Sequence, residues 1–334
     1  MERYAQFLRS VKELAEKEFE STHWGKAISA FDVYQYGRSP ELSLQKIGEA
    51  VSESEFGFRT PKPAKFIWYT LQARMIRVLA RLTRRLSDSR SRRYKHVRAL
   101  TFLRATPYFD AYQMFIKKLG VGSDMQTVRH YYYARTLGKT FEQENFDPSG
   151  KTFLEVGSGA GNFAVVSFKL FAPKRYIIVD LPQMLAYAAY QVMRYAPEVE
   201  IVYPQEWSKE RFAAATGPTL FCLTPAQLTE LSEHSVDVIL NFTSFTEMDR
   251  DEINRYFTEL YRIGKSGSFF YNVNRWKKMN DREGHSYINN PFLLPYRADD
   301  MIVYWGLDEF HHRTRGGLDT IPTLTVARLA RIKP

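Results

Sequence analysis

The chain has 334 residues, of which 44% are hydrophobic and 25% charged, and its formal net charge is +10. At that length and hydrophobic content, two parts of ordinary domain size can each bury a core. The single cysteine, Cys222, excludes an intrachain disulfide, and its position in an apolar strand-like run reads as a buried structural thiol.

Residues 1–149 are aromatic and helical in period. Candidate helices are Glu2 to Glu20, Pro40 to Val51, Pro63 to Leu86, Ser91 to Ala105, Tyr108 to Leu119 and Ser123 to Leu137. Met1 to Glu20 carries charges throughout and has no apolar signal core. No segment offers the roughly 20 apolar residues needed to cross a bilayer, so a cytoplasmic protein is expected. The charge excess is local: Arg74 to Arg104 holds 11 Lys/Arg and one Asp, while the remaining 36 basic and 36 acidic residues cancel. Within it, Leu71, Met75, Leu79, Leu82 and Leu86 share one helix face and Arg74, Arg77, Arg81 and Arg85 another. Such a basic amphipathic helix is either a solvated face paired with acids elsewhere or a contact for an anionic partner. A diphosphate, a membrane surface and a nucleic-acid backbone all qualify as that partner. Gly150 marks the boundary to residues 150–334, which read differently.

From Lys151 the order is strand, glycine turn, helix, strand. Thr152 to Val156 is an apolar run, and Gly157, Gly159 and Gly161 turn the chain into a helix from Asn162 to Phe171. A second strand, Tyr176 to Val179, ends in Asp180, 19 residues after Gly161, where a carboxylate accepts the hydroxyls of a ribose. A dinucleotide turn requires G-x-G-x-x-G, and Asn162 stands where its third glycine belongs. No G-x-x-x-x-G-K-[ST] cradle for a nucleoside triphosphate is present either.

A helix opened by Pro182 runs to about Tyr195, followed by a strand near Val199 to Tyr203 and a strand-like Thr219 to Leu223. The latter leads into Thr224-Pro225, a loop suited to an adenine edge. Ser235 to Leu240 delivers Asn241, Phe242, Thr243 and Ser244 to a sheet edge. Helix Arg250 to Ile263, a turn from Gly264 to Gly267, strand Ser268 to Asn274 and a β-rich pair near Met301 to Phe310 and Pro322 to Ile332 complete the domain. Alternating strands and helices imply an α/β domain with a mostly parallel sheet, which binds ligands at the carboxyl ends of its strands.

The run E-x-G-x-G-x-G with an acid ending the second strand resembles the class I S-adenosylmethionine-dependent methyltransferases, matched by Glu155, Gly157, Gly159, Gly161 and Asp180. YIIVDLPQMLAYAAY (Tyr176 to Tyr190) and NFTSFTEM (Asn241 to Met248) resemble, with LEVGSGAGN, the sugar O-methyltransferase family, over about Tyr131 to Trp276. Two positions depart from that family: Ser158 and Thr243 stand where it often carries glycine and histidine.

The resemblance implies a Rossmann-like class I methyltransferase sheet (150–334) behind an N-terminal all-helical cap (1–149), with homo-oligomerisation left open. It also implies S-adenosylmethionine as cofactor, held by Glu155, Gly157, Ser158, Gly159, Asn162, Asp180, Leu181, Leu223, Thr224, Asn241, Phe242 and Arg135. The implied reaction is methyl transfer to a hydroxyl of a sugar or sugar conjugate. RHYYYAR (Arg129 to Arg135) offers arginines for the methionine carboxylate and tyrosines for the acceptor. Transfer to a hydroxyl needs alignment and a proton acceptor, for which Glu247, His285 and His311 are the candidates, with His312 beside the last. Glu247 equally serves, with Asp249 and Asp251, as charge at a helix N-terminus. Magnesium is left open, since no dense carboxylate cluster is evident. Two other readings stand beside this one. A nucleic-acid methyltransferase would use the basic segment, yet NFTSF occupies the place of its N-P-P-[YF] motif and Asn290-Pro291-Phe292 lies elsewhere. A scaffold without catalysis would not require the intact glycine turn and Asp180.

Overall fold

The computed structural model describes residues 2–18, 92–275, 278–279, 288–315 and 324–333. The helices expected at Pro40 to Val51 and Pro63 to Leu86, most of the basic segment, and His285 lie outside these residues. Helices α1 (Glu2–Glu18), α2 (Arg92–Arg104), α3 (Phe109–Leu119) and α4 (Met125–Gln143) precede the sheet. Asp124 starts α4 with a capping box: its carboxylate accepts the Thr127 backbone N–H while the Thr127 hydroxyl accepts the Asp124 N–H.

The sheet has eight strands: β1 (Thr152–Val156), β2 (Arg175–Val179), β3 (Glu200–Val202), β4 (Thr219–Leu223), β5 (Val236–Phe242), β6 (Gly264–Arg275), β9 (Met301–Leu307) and β10 (Thr325–Arg331). Their spatial order is β3-β4-β2-β1-β5-β6-β10-β9. Every neighbouring pair is parallel except β10 with β6 and with β9, so β10 alone runs against the rest. The order reverses at β1, which places a crevice over the carboxyl ends of β1, β2 and β5. Two two-residue strands, β7 (Lys278–Met279) and β8 (Ile288–Asn289), form a separate antiparallel pair.

Alternation along the strands separates two apolar layers. Phe153, Tyr176, Ile178, Leu240, Phe269 and Tyr271 face α4, α5 (Asn162–Leu170) and α6 (Pro182–Tyr195). Leu154, Ile177, Val179, Ile239 and Phe270 face α8 (Arg250–Ile263), whose Ile253, Phe257 and Leu260 cover them. The result is a three-layer Rossmann-like α/β fold. A short helix, α7 (Lys209–Ala214), precedes β4. The first layer also takes in helices before residue 150: Val128, Tyr133 and Leu137 of α4, and Phe7 and Val11 of α1, belong to the same core. Tyr4 of α1 donates its hydroxyl to the Ala186 carbonyl of α6 at 3.0 Å.

One expected boundary is corrected. The β-rich stretch placed at Met301 to Phe310 ends at Leu307, and Glu309–Arg315 forms a helix, α9. Asp308 causes the switch: its carboxylate accepts the backbone N–H of His311 at 2.8 Å, as an N-cap does. Cys222 is fully buried in β4, and burial pushes its thiol up.

Candidate cofactor and active site

The turn after β1 is built from residues with positive φ: Gly157 (69°), Gly159 (58°) and Gly161 (73°). Their neighbours differ. A β-carbon on Gly157 would lie 2.2 Å from Ser244 Cβ, and one on Gly161 2.8 Å from Ala188 Cβ, so both glycines admit protein rather than ligand. At Gly159 nothing lies within 4 Å, and this is the point at which backbone opens to the crevice.

Asp180 holds that turn. Its carboxylate accepts the Gly159 N–H at 3.0 Å and the Leu181 N–H at 2.8 Å. Each oxygen keeps a further lone pair, so hydroxyl donors can be accepted without breaking the turn. Burial raises the Asp180 carboxyl to about 7, against the opposing pull of the Leu181 and Gly159 amides. Glu155, inside β1, accepts the Tyr176 hydroxyl at 2.8 Å and is pushed up by burial to about 8, which leaves it neutral at pH 7. Ser158 is half-buried in the turn, and Asn162 is buried and accepts the Gln191 amide at 3.3 Å. Leu181 N-caps α6. The Leu223 carbonyl accepts the Asp180 N–H at 3.2 Å, and the Thr224 N–H donates to Gln227 at 3.0 Å at the start of a short 3-10 turn.

Two residues expected at the cofactor make contacts within the protein. Asn241 is fully buried and structural: its amide donates to the Val156 carbonyl at 2.9 Å and to Ser244, and its oxygen accepts from Asn274 at 2.7 Å. With Asn272 this asparagine group pins the ends of β1, β5 and β6 together, and Thr243, at φ 71°, donates its backbone N–H to the Val273 carbonyl at 2.7 Å. Arg135 lies on a different turn of α4 from Arg129. That helix runs against β1, bringing Phe141 near the start of the strand at Phe153, so Arg135 sits about 9 Å farther from the crevice than Arg129. Its guanidinium stacks over Tyr108 at 5.4 Å.

Arg129 is the arginine that reaches the crevice. It is close enough to Glu155, Asp308 and Tyr133 to act on them electrostatically, yet it makes no ion pair among the described residues. Its Nη2 donates to His130 Nε2 at 3.2 Å, while its buried Nε has no partner among the described residues. Burial lowers the basicity of Arg129, and burial with the Arg129 charge holds His130 well below its ordinary value and neutral.

From there an aromatic wall leads to a second polar group. Phe163, in the first turn of α5, meets Phe242 at 4.6 Å between centroids, and Phe242 stacks on Tyr133 at 5.1 Å. Phe242 is thus a wall residue. The Tyr133 hydroxyl lies 3.0 Å from His311 Nδ1 and donates to Asp308 at 3.2 Å, and His311 Nδ1 lies 2.7 Å from Asp308 Oδ2. The tautomer that satisfies these contacts donates Nδ1–H to Asp308 and puts the basic lone pair on Nε2. Glu247 sits in a 3-10 turn just before α8, with Asp249 capping that helix by accepting the Glu252 N–H. Sequence reasoning named His311 but missed Asp308; the signal was the D-x-x-H spacing, which lets one carboxylate cap the helix and bind the imidazole together.

Among the described residues no group of three or more His, Cys, Asp or Glu gathers as a metal site, and no helix is long and apolar enough to cross a membrane. A cleft of about 310 Å³ opens at the opposite ends of the strands, beside Thr152, Arg175, Trp207 and Lys265. There Arg175 donates to Phe212 and Ala213 carbonyls, Trp207 to Glu230, and Lys265 pairs with Asp237, so its polar groups are already engaged.

No family model and no curated protein matches the chain. Among solved structures, the chain is similar to one assigned as a sarcosine dimethylglycine methyltransferase from Galdieria sulphuraria, at 11% identity and a TM-score of 0.45 over 67% of this chain and 98% of that one. It is also similar to the [4+2]-cyclase SpnF, at 16% identity and a TM-score of 0.42 over 64% and 83% of the two chains. A third similarity is to geranyl diphosphate C-methyltransferase from Streptomyces coelicolor A3(2), solved with Mg2+, geranyl diphosphate and S-adenosyl-L-homocysteine, at 12% identity and a TM-score of 0.38 over 60% and 80%. These are similarities of backbone course, and the chemistry of this chain has to be read from its own residues.

Proposed function

We propose that the protein is an S-adenosylmethionine-dependent methyltransferase that acts on a hydroxyl of a sugar or sugar conjugate. The observation that carries the reading is the pairing of an open Gly159 turn, held by Asp180, with a buried arginine that lacks an ion-pair partner among the described residues. Both features fit the cofactor: the turn admits a ligand against backbone, Asp180 accepts ribose hydroxyls, and Arg129 receives the methionine carboxylate. S-adenosylmethionine, when bound, supplies an electrophilic methyl group on a sulfonium.

The remaining work falls to the chain. Tyr133, Phe242 and Tyr271 form an apolar wall that excludes water beside the dyad. His311 would take the hydroxyl proton on Nε2 as the acceptor oxygen bonds to the methyl carbon and that carbon's bond to sulfur breaks, leaving the neutral thioether, while Asp308 orients the imidazole and stabilises its cation. The sugar acceptor is supported by the family-like VDLP and NFTSFTEM segments, both of which adjoin the crevice. The described helices before residue 150 would form the acceptor-side cap, with α4 contributing Arg129 and Tyr133.

The test is calorimetric titration with S-adenosylhomocysteine. Micromolar binding that Asp180→Ala and Arg129→Ala each weaken, with NAD not bound, supports the reading. Absent binding, or a preference for NAD, overturns it. Transfer of labelled methyl from S-adenosylmethionine to a panel of nucleotide sugars then separates sugar acceptors from others.

A further inference from the structure

The crevice end of β6 carries a charge that neither the glycine turn nor the dyad uses. Along that strand Phe269, Tyr271 and Val273 lie in the apolar layer shared with α4, and alternation puts the last residue, Arg275, on the same face one step nearer the crevice. Tyr271 meets Tyr133 of α4 with centroids 6.0 Å apart, and Arg129 lies one turn closer to the start of α4, on the crevice side of that ring pair. Arg275 and Arg129 therefore border the same space from the sheet and from the helix. They are close enough that the Arg275 charge lowers the basicity of Arg129. Holding two like charges together costs energy unless an anion joins them.

Neither guanidinium has an ion pair among the described residues; Arg275 is half-buried, and Arg129 is buried with its Nε unpartnered there. A third polar group is open beside them. Thr325 of β10 pairs with Arg275 across the antiparallel ladder, on the same face, and its buried hydroxyl has no partner among the described residues. The Thr325 carbonyl accepts the Asp308 N–H at 2.8 Å, which ties this position to the dyad. The glycine turn is farther off: it follows β1, two strands from β6, or about 10 Å. Tyr133, whose hydroxyl meets Asp308 and His311, packs on Tyr271 of β6 itself. Arg275 thus stands on the side of the crevice where an acceptor meets the base, and a carboxylate on Arg129 would match only one of the two charges.

We propose that the acceptor carries an anionic group, a phosphate or a carboxylate, and that Arg275 receives it beside the dyad while Arg129 holds the methionine carboxylate of the cofactor. The inference rests on the methyl-transfer reading and adds the class of acceptor, an acidic or phosphorylated sugar. A guanidinium offers paired N–H donors to either oxyanion, and the Thr325 hydroxyl adjoins it as a further donor. With one anion on each arginine, neither cation of the pair is left unmatched.

The experiment is calorimetry on the full chain saturated with S-adenosylhomocysteine, titrated with glucose 1-phosphate, glucuronate and glucose, for the wild type, Arg275→Gln and Arg275→Lys. Arg275 ends its strand and is half-buried, so both variants should fold, which circular dichroism checks. The expected result is that at least one of the two anions binds the wild type about tenfold or more tightly than glucose does. Arg275→Gln removes that preference at unchanged S-adenosylhomocysteine affinity, and Arg275→Lys, which keeps the charge, retains part of it. A preference confined to glucose 1-phosphate assigns a phosphate, and one confined to glucuronate a carboxylate. No preference for either anion over glucose, or one that survives in folded Arg275→Gln, overturns the proposal and leaves the cofactor reading standing. Failure of the wild type to bind S-adenosylhomocysteine overturns both.

Discussion

The glycine turn makes a prediction that distinguishes support of the fold from contact with ligand. Gly157 and Gly159 both have positive φ, 69° and 58°, so alanine at either meets a left-handed penalty of about 1–2 kcal/mol. At Gly157 the added carbon would also lie 2.2 Å from Ser244 Cβ and 2.3 Å from its Oγ. Overpacking of that kind adds about 1–3 kcal/mol, for a total of about 2–5 kcal/mol. At Gly159 the carbon enters open space, so the stability loss stays at about 1–2 kcal/mol, while the methyl occupies the volume a ligand would use. Differential scanning fluorimetry reads the first effect at roughly 2–4 °C per kcal/mol. Calorimetry with S-adenosylhomocysteine reads the second, expected as at least a tenfold loss of affinity, or about 1.4 kcal/mol, in Gly159→Ala. Adding Ser244→Gly to Gly157→Ala removes the clash but not the backbone strain, so the pair should be non-additive by about 1–3 kcal/mol. Equal melting losses at the two positions, or wild-type ligand affinity in Gly159→Ala, would refute the division of labour.

Other outcomes follow from the same geometry. Asp180 is raised by burial to about 7, and a carboxylate is the form that accepts ribose hydroxyls. Affinity for S-adenosylhomocysteine should therefore rise toward tenfold per pH unit from pH 5.5 and level off above 7; a flat profile in the wild type would contradict it. Glu155 is raised from 4.5 to about 8, so the folded state favours its neutral form. That contribution to stability is fully present below about pH 4.5 and lost as pH rises through about 8. Glu155→Gln should flatten that part of the melting profile, and an unchanged slope counts against it. His311→Ala should cut kcat by about 10²–10⁴ with little change in S-adenosylhomocysteine affinity, and Asp308→Asn should lower kcat at unchanged S-adenosylhomocysteine affinity. Full activity in His311→Ala rules the dyad out as the base. Asp300→Ala should destabilise by about 3–5 kcal/mol, because Arg328, 1% exposed and bonded to Asp300 at 2.7 Å, would be left as a buried unpaired cation; an unchanged melting temperature would show that the pair is not needed.

The sheet was legible because its signals are local. Apolar runs at Thr152, Tyr176, Thr219 and Ser235, each followed by turn or cap chemistry, give the strands almost to the residue, and Pro182 starts its helix as Pro at the first turn does. What escaped is non-local. Periodicity could not say that Asn241 is consumed by Val156, Ser244 and Asn274, because that depends on three strand ends meeting at one point. Nor could it choose between two arginines six residues apart on α4, since only the direction of that helix against β1 decides which lies over the crevice.

The same distinction bears on the choice of base. On sequence Glu247, in the family-like EM pair, stands ahead of His311 as base, acceptor anchor or metal ligand. Glu247 sits in a 3-10 turn ahead of α8, outside the cap that Asp249 supplies. His311 is the third residue of α9, and Asp308 and Tyr133 fix its ring from two sides. A histidine that abstracts a hydroxyl proton becomes a cation, which a counter-charge already in place stabilises. Asp308 supplies that counter-charge at 2.7 Å, while the Phe242 and Tyr133 rings keep the medium around it apolar enough for the charge to act. The residue that caps the helix is therefore also the one that gives the histidine its direction. The cap accounts for Asp308 by itself; the Tyr133 hydroxyl, reaching in from α4 to the same oxygen, is what a cap alone does not require.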